Sequence, residues 1–339
     1  MRRGKLFWDK PFPLEREGLL PYLTITYHTS GKLNKSKDNV IWICHAFSAG
    51  SDVSEWWPDM IGKGKCFDPS KYFVVCANIL GSCYGTTGPL SVNPETNRPY
   101  YSSFPFVTIR DMAAAHEILR EYLGIKRIKL LIGSSIGAFQ GLEWNIMKPQ
   151  LFEHFAFISG SAKTSPWAVA FSEAQRMALL SDPTFHEASE HAGSEGMKAA
   201  RSVALLSYRN YQIYGESQAE KEIDRVNNFR VSSYQRYQGE KLAKRFNAFS
   251  YYVLLNALDS HNVGRGRNSI IKALSKVEAK TLVVGITTDL LFPVSEQKFV
   301  ASYIKNSDYV EIDSIYGHDA FLIETGILSR LIIDKCKIK

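Results

Sequence analysis

The 339-residue chain has no uninterrupted apolar run long enough to cross a bilayer. Its basic start, Met1-Arg2-Arg3-Gly4-Lys5, leads into Asp9, Lys10, Pro11 and Pro13 rather than a signal-peptide core, so a cytoplasmic protein without membrane contacts is expected. Cysteine is scarce: Cys44, Cys66, Cys76, Cys83 and Cys336 make an odd number with no C-x-x-C spacing, which suggests neither a disulfide framework nor a metal site. Cys44 and Cys76 lie in strand-like runs and read as small hydrophobes. The formal charge is +7, yet no block of five or six basic residues exists, so a nucleic-acid partner is not expected. A mild positive field does suit a polyanionic small co-substrate. Low-complexity tracts are absent, and 45% hydrophobic content sets disordered and fibrous classes aside.

What is present is an alternation of strand and helix signals. The stretch 19–33 alternates, as in Leu23-Thr24-Ile25-Thr26-Tyr27-His28, and predicts antiparallel edge strands. Apolar runs at 39–45 and 72–77 predict strands buried on both faces, with further strands at 128–132, 155–160, 281–286 and 309–312. Helical spacing appears over 111–123, stopping at Gly124, and over 138–147. Strands alternating with helices imply βαβ units and a mostly parallel sheet. For about a hundred residues the strand signal then vanishes, and helices are expected over 171–180, 196–208, 218–229 and 232–257, before a closing helix over 320–333. This pattern divides the chain into a core, 1–165 and 267–339, and an all-helical cap, 166–266, over a pocket.

Between the 128–132 strand and the 138–147 helix stands Gly133-Ser134-Ser135-Ile136-Gly137. A G-x-S-x-G on a strand-to-helix turn is the nucleophile elbow of an α/β-hydrolase fold, with Ser135 raised above the sheet and the glycines required by close packing. That architecture places an acid and then a histidine after the serine. Asp289 follows the 281–286 strand and His318 follows the last strand, both at carboxyl ends where open α/β sheets bind ligands. Alone, Asp289 reads as a cap or turn residue and His318 as a loop imidazole. Three matches in the required order make Ser135, Asp289 and His318 the expected triad. The oxyanion donors are expected at the backbone N–H of Ile136 and of Phe47, with Ala46 the alternative. His45, before that turn, is expected to be structural. The Gly-rich segment 78–89 is expected to run over the active-site face, and no lysine follows its glycines as in a P-loop.

Longer stretches carry a more specific likeness: Tyr72-Phe73-Val74-Val75-Cys76-Ala77-Asn78-Ile79-Leu80-Gly81-Ser82-Cys83-Tyr84-Gly85-Thr86-Thr87-Gly88-Pro89, Thr108-Ile109-Arg110-Asp111-Met112, Gln140-Gly141-Leu142-Glu143-Trp144, Tyr237-Gln238-Gly239-Glu240-Lys241 and Val263-Gly264-Arg265-Gly266. With these the chain resembles the homoserine O-acetyltransferases over nearly its whole length, cap included. The resemblance implies acetyl transfer from acetyl-CoA, as co-substrate with no bound cofactor, to the hydroxyl of L-homoserine through an acyl-Ser135 intermediate, a step toward methionine. It also implies that Arg209 grips the acceptor's carboxylate, that Asp319 receives its ammonium group, and that the protein is a homodimer joined through cap helices. Structural alternatives are a surface ion pair for Arg209 and a helix N-cap for Asp319. Where the family commonly has Gly-Gly-Ser-Met-Gly-Gly, this chain has Gly133-Ser134-Ser135-Ile136-Gly137-Ala138, and Asn262 stands where an aspartate is usual. These departures bear on donor and acceptor, for which succinyl-CoA or L-serine are the alternatives. The triad alone also suits a serine esterase or thioesterase.

Overall fold

The structure, a computed structural model, describes residues 1–338. Its central sheet has eight strands: β1 (Arg2–Trp8), β2 (Leu23–Ser30), β3 (Val40–Cys44), β4 (Phe73–Ala77), β5 (Ile128–Ser134), β6 (Phe152–Ile158), β7 (Lys280–Ile286) and β8 (Ser307–Ile312). They lie in the order β1-β2-β4-β3-β5-β6-β7-β8. β2 pairs antiparallel with both β1 and β4, and the remaining pairings are parallel. The helices are α1 (Ile109–Tyr122), α2 (Ile136–Met147), α3 (Pro166–Leu180), α4 (Ser194–Tyr208), α5 (Tyr211–Gln218), α6 (Arg230–Ala243), α7 (Ala248–Asp259), α8 (Ile270–Leu274), α9 (Val294–Tyr303), α10 (Ala320–Ile323) and α11 (Thr325–Lys335).

The strand period explains why both faces are covered. In β3, Ile41 and Ile43 enter one apolar cluster while Trp42 and Cys44 enter the other; in β5, Leu130 and Ile132 oppose Leu131. A strand apolar on both faces cannot front water, so helices must pack on each side. Met112 and Leu119 of α1 and Phe139 and Leu142 of α2 cover the first face, and Leu328 and Ile332 of α11 cover the second. α1 starts at a capping box, in which Thr108 Oγ1 accepts from the Asp111 N–H and the Asp111 carboxylate accepts from the Thr108 N–H.

Helices α3 to α7 lie between β6 and β7. Where this insertion leaves and rejoins the sheet its two ends are laced together: the Thr164 N–H donates to His261 O and the Val263 N–H to Ala162 O, each at 3.0 Å. A charge network braces the same place. Arg110 pairs with Glu15 at 2.6 Å and Glu143 at 3.3 Å, Arg265 with Glu15 at 2.8 Å, and Arg267 with Glu143 at 2.7 Å.

Three local expectations differ from the structure, and one strand was not expected. The 218–229 stretch is not a helix; α5 ends at Gln218 and turns follow, because the Glu220 carboxylate captures the N–H groups of Lys221, Glu222 and Arg230. The helix expected over 232–257 is two, α6 and α7, parted at Asn247, whose side chain caps α7 by accepting from the Ser250 N–H. The closing helix is likewise broken at Glu324. Finally, the basic start is a strand: β1 matches β2 residue for residue from Arg2 with Thr29 to Trp8 with Leu23, its charges serving an exposed edge.

Candidate active site

Ser135 joins the end of β5 to α2 with φ 58° and ψ −130°, a conformation non-glycine residues rarely adopt. Close packing dictates it. A Cβ at Gly133 would stand 2.1 Å from Gly137 O, and one at Gly137 would stand 2.2 Å from Cys44 O, so only glycine lets strand, turn and helix approach this closely. The Ser135 N–H donates to Ile158 O at 3.0 Å and fastens the corner to β6.

Asp289 follows β7 with its side chain buried. Its Oδ1 accepts from the N–H groups of Leu291 and Phe292, both at 2.9 Å, which aims Oδ2 at His318 Nδ1, 2.6 Å away. His318 lies in a short 3₁₀ turn, Gly317–Asp319, between the rings of Phe292 and Phe321 at 5.3 and 5.4 Å. Thr288 ties the two loops together by donating to Ser314 O and accepting from the Gly317 N–H. His318 Nε2 is buried without a hydrogen-bond partner among the described residues, open to accept a proton.

The turn after β3 is held by His45, whose Nδ1 donates to Ala46 O at 2.9 Å while Nε2 accepts from the Ile79 N–H at 3.1 Å. Burial depresses the His45 pKa to about 4, so the ring is neutral, as this pattern of one donor and one acceptor demands. The expectation of a structural role therefore fits. Phe47, in that turn, has an N–H without an acceptor among the described residues. Ile136 opens α2, where a backbone N–H has no intrahelical acceptor.

Ser135 and His318 open into a cavity of about 1070 Å³, whose lining includes Ala46, Phe47, Arg201, Tyr208 and Asp319. Arg209 is not brought to that lining. It pairs with Asp319 at 3.3 Å and sits over the Tyr234 ring at 5.5 Å. Asp319 does not cap the helix it precedes; its carboxylate goes to Arg209. Burial raises the Asp319 pKa, while Arg201 and Arg209 oppose that shift. Among the arginines that do face the cavity is Arg201 of α4, half-buried, over the Tyr208 ring at 5.3 Å and in no ion pair among the described residues. Sequence reasoning passed over it, although its distance of seven residues from Tyr208 marks one face of a helix.

Ser134, Ile136 and Ala138, the departures beside the nucleophile, are buried and absent from the cavity lining. Asn262 caps its own turn by accepting from the Gly264 N–H at 2.9 Å. Among the described residues no cluster of three or more His, Cys, Asp or Glu could hold a metal ion, and no helix is long and apolar enough to cross a membrane.

A family model of the alpha/beta hydrolase fold matches residues 39–325. A homoserine O-acetyltransferase of Cyclobacterium marinum is 47% identical over 324 residues, which cover 96% of this chain and 92% of that protein. In fold, a crystal structure of homoserine O-acetyltransferase from Bacillus anthracis superposes with a TM-score of 0.93 at 24% identity, covering 100% of this chain and 98% of its own. Esterase E22 superposes with a TM-score of 0.88 at 23% identity, covering 99% of this chain and 100% of its own.

Proposed function

The chain belongs to the homoserine O-acetyltransferase family of α/β-hydrolase enzymes, and from that membership we propose that it transfers an acetyl group from acetyl-CoA to the side-chain hydroxyl of L-homoserine, a step toward methionine. The observation that supports this most directly is the 2.6 Å contact of Asp289 with His318 in the cavity that Ser135 enters. Ser135 Oγ attacks the thioester carbonyl as His318 Nε2 takes its proton, and the N–H groups of Ile136 and Phe47 receive the developing oxyanion. The thiol leaves with that proton, and an acetyl-Ser135 ester remains. The homoserine hydroxyl then attacks the ester, giving its proton to His318, which returns it to Ser135. Asp289 stabilises the imidazolium in both halves.

In this reading Arg201, rather than Arg209, grips the acceptor's carboxylate, since its planar fork faces the cavity without an ion-pair partner. Asp319 receives the ammonium group, and Arg209 holds that carboxylate in place. The cap excludes water, because hydrolysis of the acyl-enzyme is the competing outcome. The assembly is a homodimer joined through the cap, whose segment 211–226 exposes Tyr211, Ile223 and Val226 almost fully; a sedimentation mass of two chains checks this.

The test is thiol release from acetyl-CoA. Beyond one equivalent per enzyme it should require homoserine, and it should vanish in Ser135→Ala; release unchanged in that variant contradicts the mechanism. Esterase E22 shares the fold, so hydrolysis is the second reading, and turnover indifferent to any amino-acid acceptor would establish it.

A further inference from the structure

We propose that Arg3 and Arg245 form a phosphate-binding pair at the mouth of the active-site cavity and hold the charged tail of the thioester carrier; the assignment rests on the acyl-CoA reading above. Three carboxylates line the cavity, Asp52, Glu55 and Asp319. Asp52 lies 3.7 Å from the N-terminal ammonium group and 3.9 Å from His28 Nε2, and Asp319 is held by Arg209 at 3.3 Å. Glu55 alone is exposed and outside any ion pair among the described residues. Against them stand three arginines, Arg3, Arg201 and Arg245, none in an ion pair among the described residues. Arg201 is half-buried in the same cavity as Ser135 and is accounted for by the acceptor. Arg3 and Arg245 are exposed, at the solvent end, and nothing in the transfer chemistry uses them.

Each is held in place by neutral groups. Arg245, between α6 and α7, donates to Ser48 O and to the Tyr84 hydroxyl, contacts that orient the guanidinium without neutralising it. A guanidinium has five N–H donors, so several remain for a ligand. Arg3 stands opposite His28 in the β1–β2 ladder, so both side chains leave the same face of the sheet. A Cβ at Gly85 would stand 3.2 Å from Arg3 Nη2, so the guanidinium rests on that glycine. Tyr84 and Gly85 are neighbours, and the two arginines therefore flank one short piece of the Gly-rich segment.

The ligand chemistry follows from this layout. A donor whose reactive carbon must reach a serine only 5% exposed, and whose carrier ends in phosphates that remain hydrated, needs a buried nucleophile and an exposed pair of planar cations in one cavity. Acetyl-CoA has that form, and S-acetylpantetheine is the same thioester without the phosphates and the adenosine they carry.

The experiment compares kcat/KM for these two thioesters in the wild type, Arg3→Ala, Arg245→Ala and Arg245→Gln. The glutamine retains a donor for Ser48 and Tyr84 and separates loss of charge from loosening of the cap. The ratio of the acetyl-CoA value to the acetylpantetheine value should fall about tenfold for each arginine removed, the loss of a charge-assisted contact, and by a similar factor in Arg245→Gln. An unchanged ratio in all variants, whatever happens to the separate values, overturns the assignment alone. A wild type that reacts with p-nitrophenyl acetate but with neither thioester overturns the donor reading and the assignment with it.

Discussion

At the scale of single residues, the site depends on a few side chains whose positions are over-determined. Ser135 is held at φ 58° by two glycines that admit no Cβ, and Asp289 is aimed by two backbone N–H groups. These were legible in the sequence, because the elbow is a steric pattern and the acid and base follow in a fixed order at strand ends. The half-buried cation that lines the cavity, Arg201, was less so. Tyr208 and Arg209 are adjacent in sequence, but a helix turns about 100° per residue, so neighbours diverge while Arg201, two turns earlier, shares a side with Tyr208. Arg201→Ala is therefore expected to raise KM for homoserine about tenfold or more at near-constant acetyl-enzyme formation. Arg209→Ala should have the smaller effect on KM, and the reverse ranking would return the carboxylate to Arg209.

At the scale of elements, the network of Glu15, Arg110, Glu143, Arg265 and Arg267 explains several residues that carried the family likeness without any chemical role. It fastens α1, α2 and the strap after α7 to the N-terminal segment, where the helical insertion rejoins the sheet. Glu143 is almost wholly buried and serves both Arg110 and Arg267, so Glu143→Ala leaves two guanidinium groups without their shared carboxylate. A loss of about 3 kcal/mol in denaturant unfolding is expected, and a loss below about 1 kcal/mol would show the network to be incidental. Element boundaries were the part least legible in the sequence. Asn247 as a cap within a long helical pattern, and Glu220 drawing backbone N–H groups away from a helix, act through side-chain hydrogen bonds that periodicity does not report. β1 was missed for a related reason, since an edge strand can be strongly charged and still pair fully.

At the scale of the whole molecule, burial holds three histidines neutral: His45 at the turn after β3, His116 beneath α2 and His261 at the neck of the insertion, each with a pKa depressed to about 4. The unfolded chain protonates them near pH 6.5, where the folded chain does not. Their stabilisation is complete above that pH and is lost progressively as pH falls toward 4, at roughly 1.4 kcal/mol per histidine per pH unit. Thermal unfolding should accordingly show a Tm well below its neutral value at pH 5; a flat profile between pH 7.5 and 5 would contradict the neutral, buried assignment. The sheet, both its faces and the strand-end site were readable from the chain because apolar runs and turn glycines report burial directly. The charges inside the cavity were not, since their pairing depends on contacts between residues far apart in sequence. If Ser135 carries the acetyl group between donor and acceptor, peptide mass spectrometry after mixing the enzyme with acetyl-CoA alone will detect it there. One acetyl group is expected on the peptide bearing Ser135, discharged to O-acetylhomoserine when homoserine is added; an unmodified Ser135, or an acetyl group lost to water at the same rate with and without homoserine, would rule out Ser135 as the carrier.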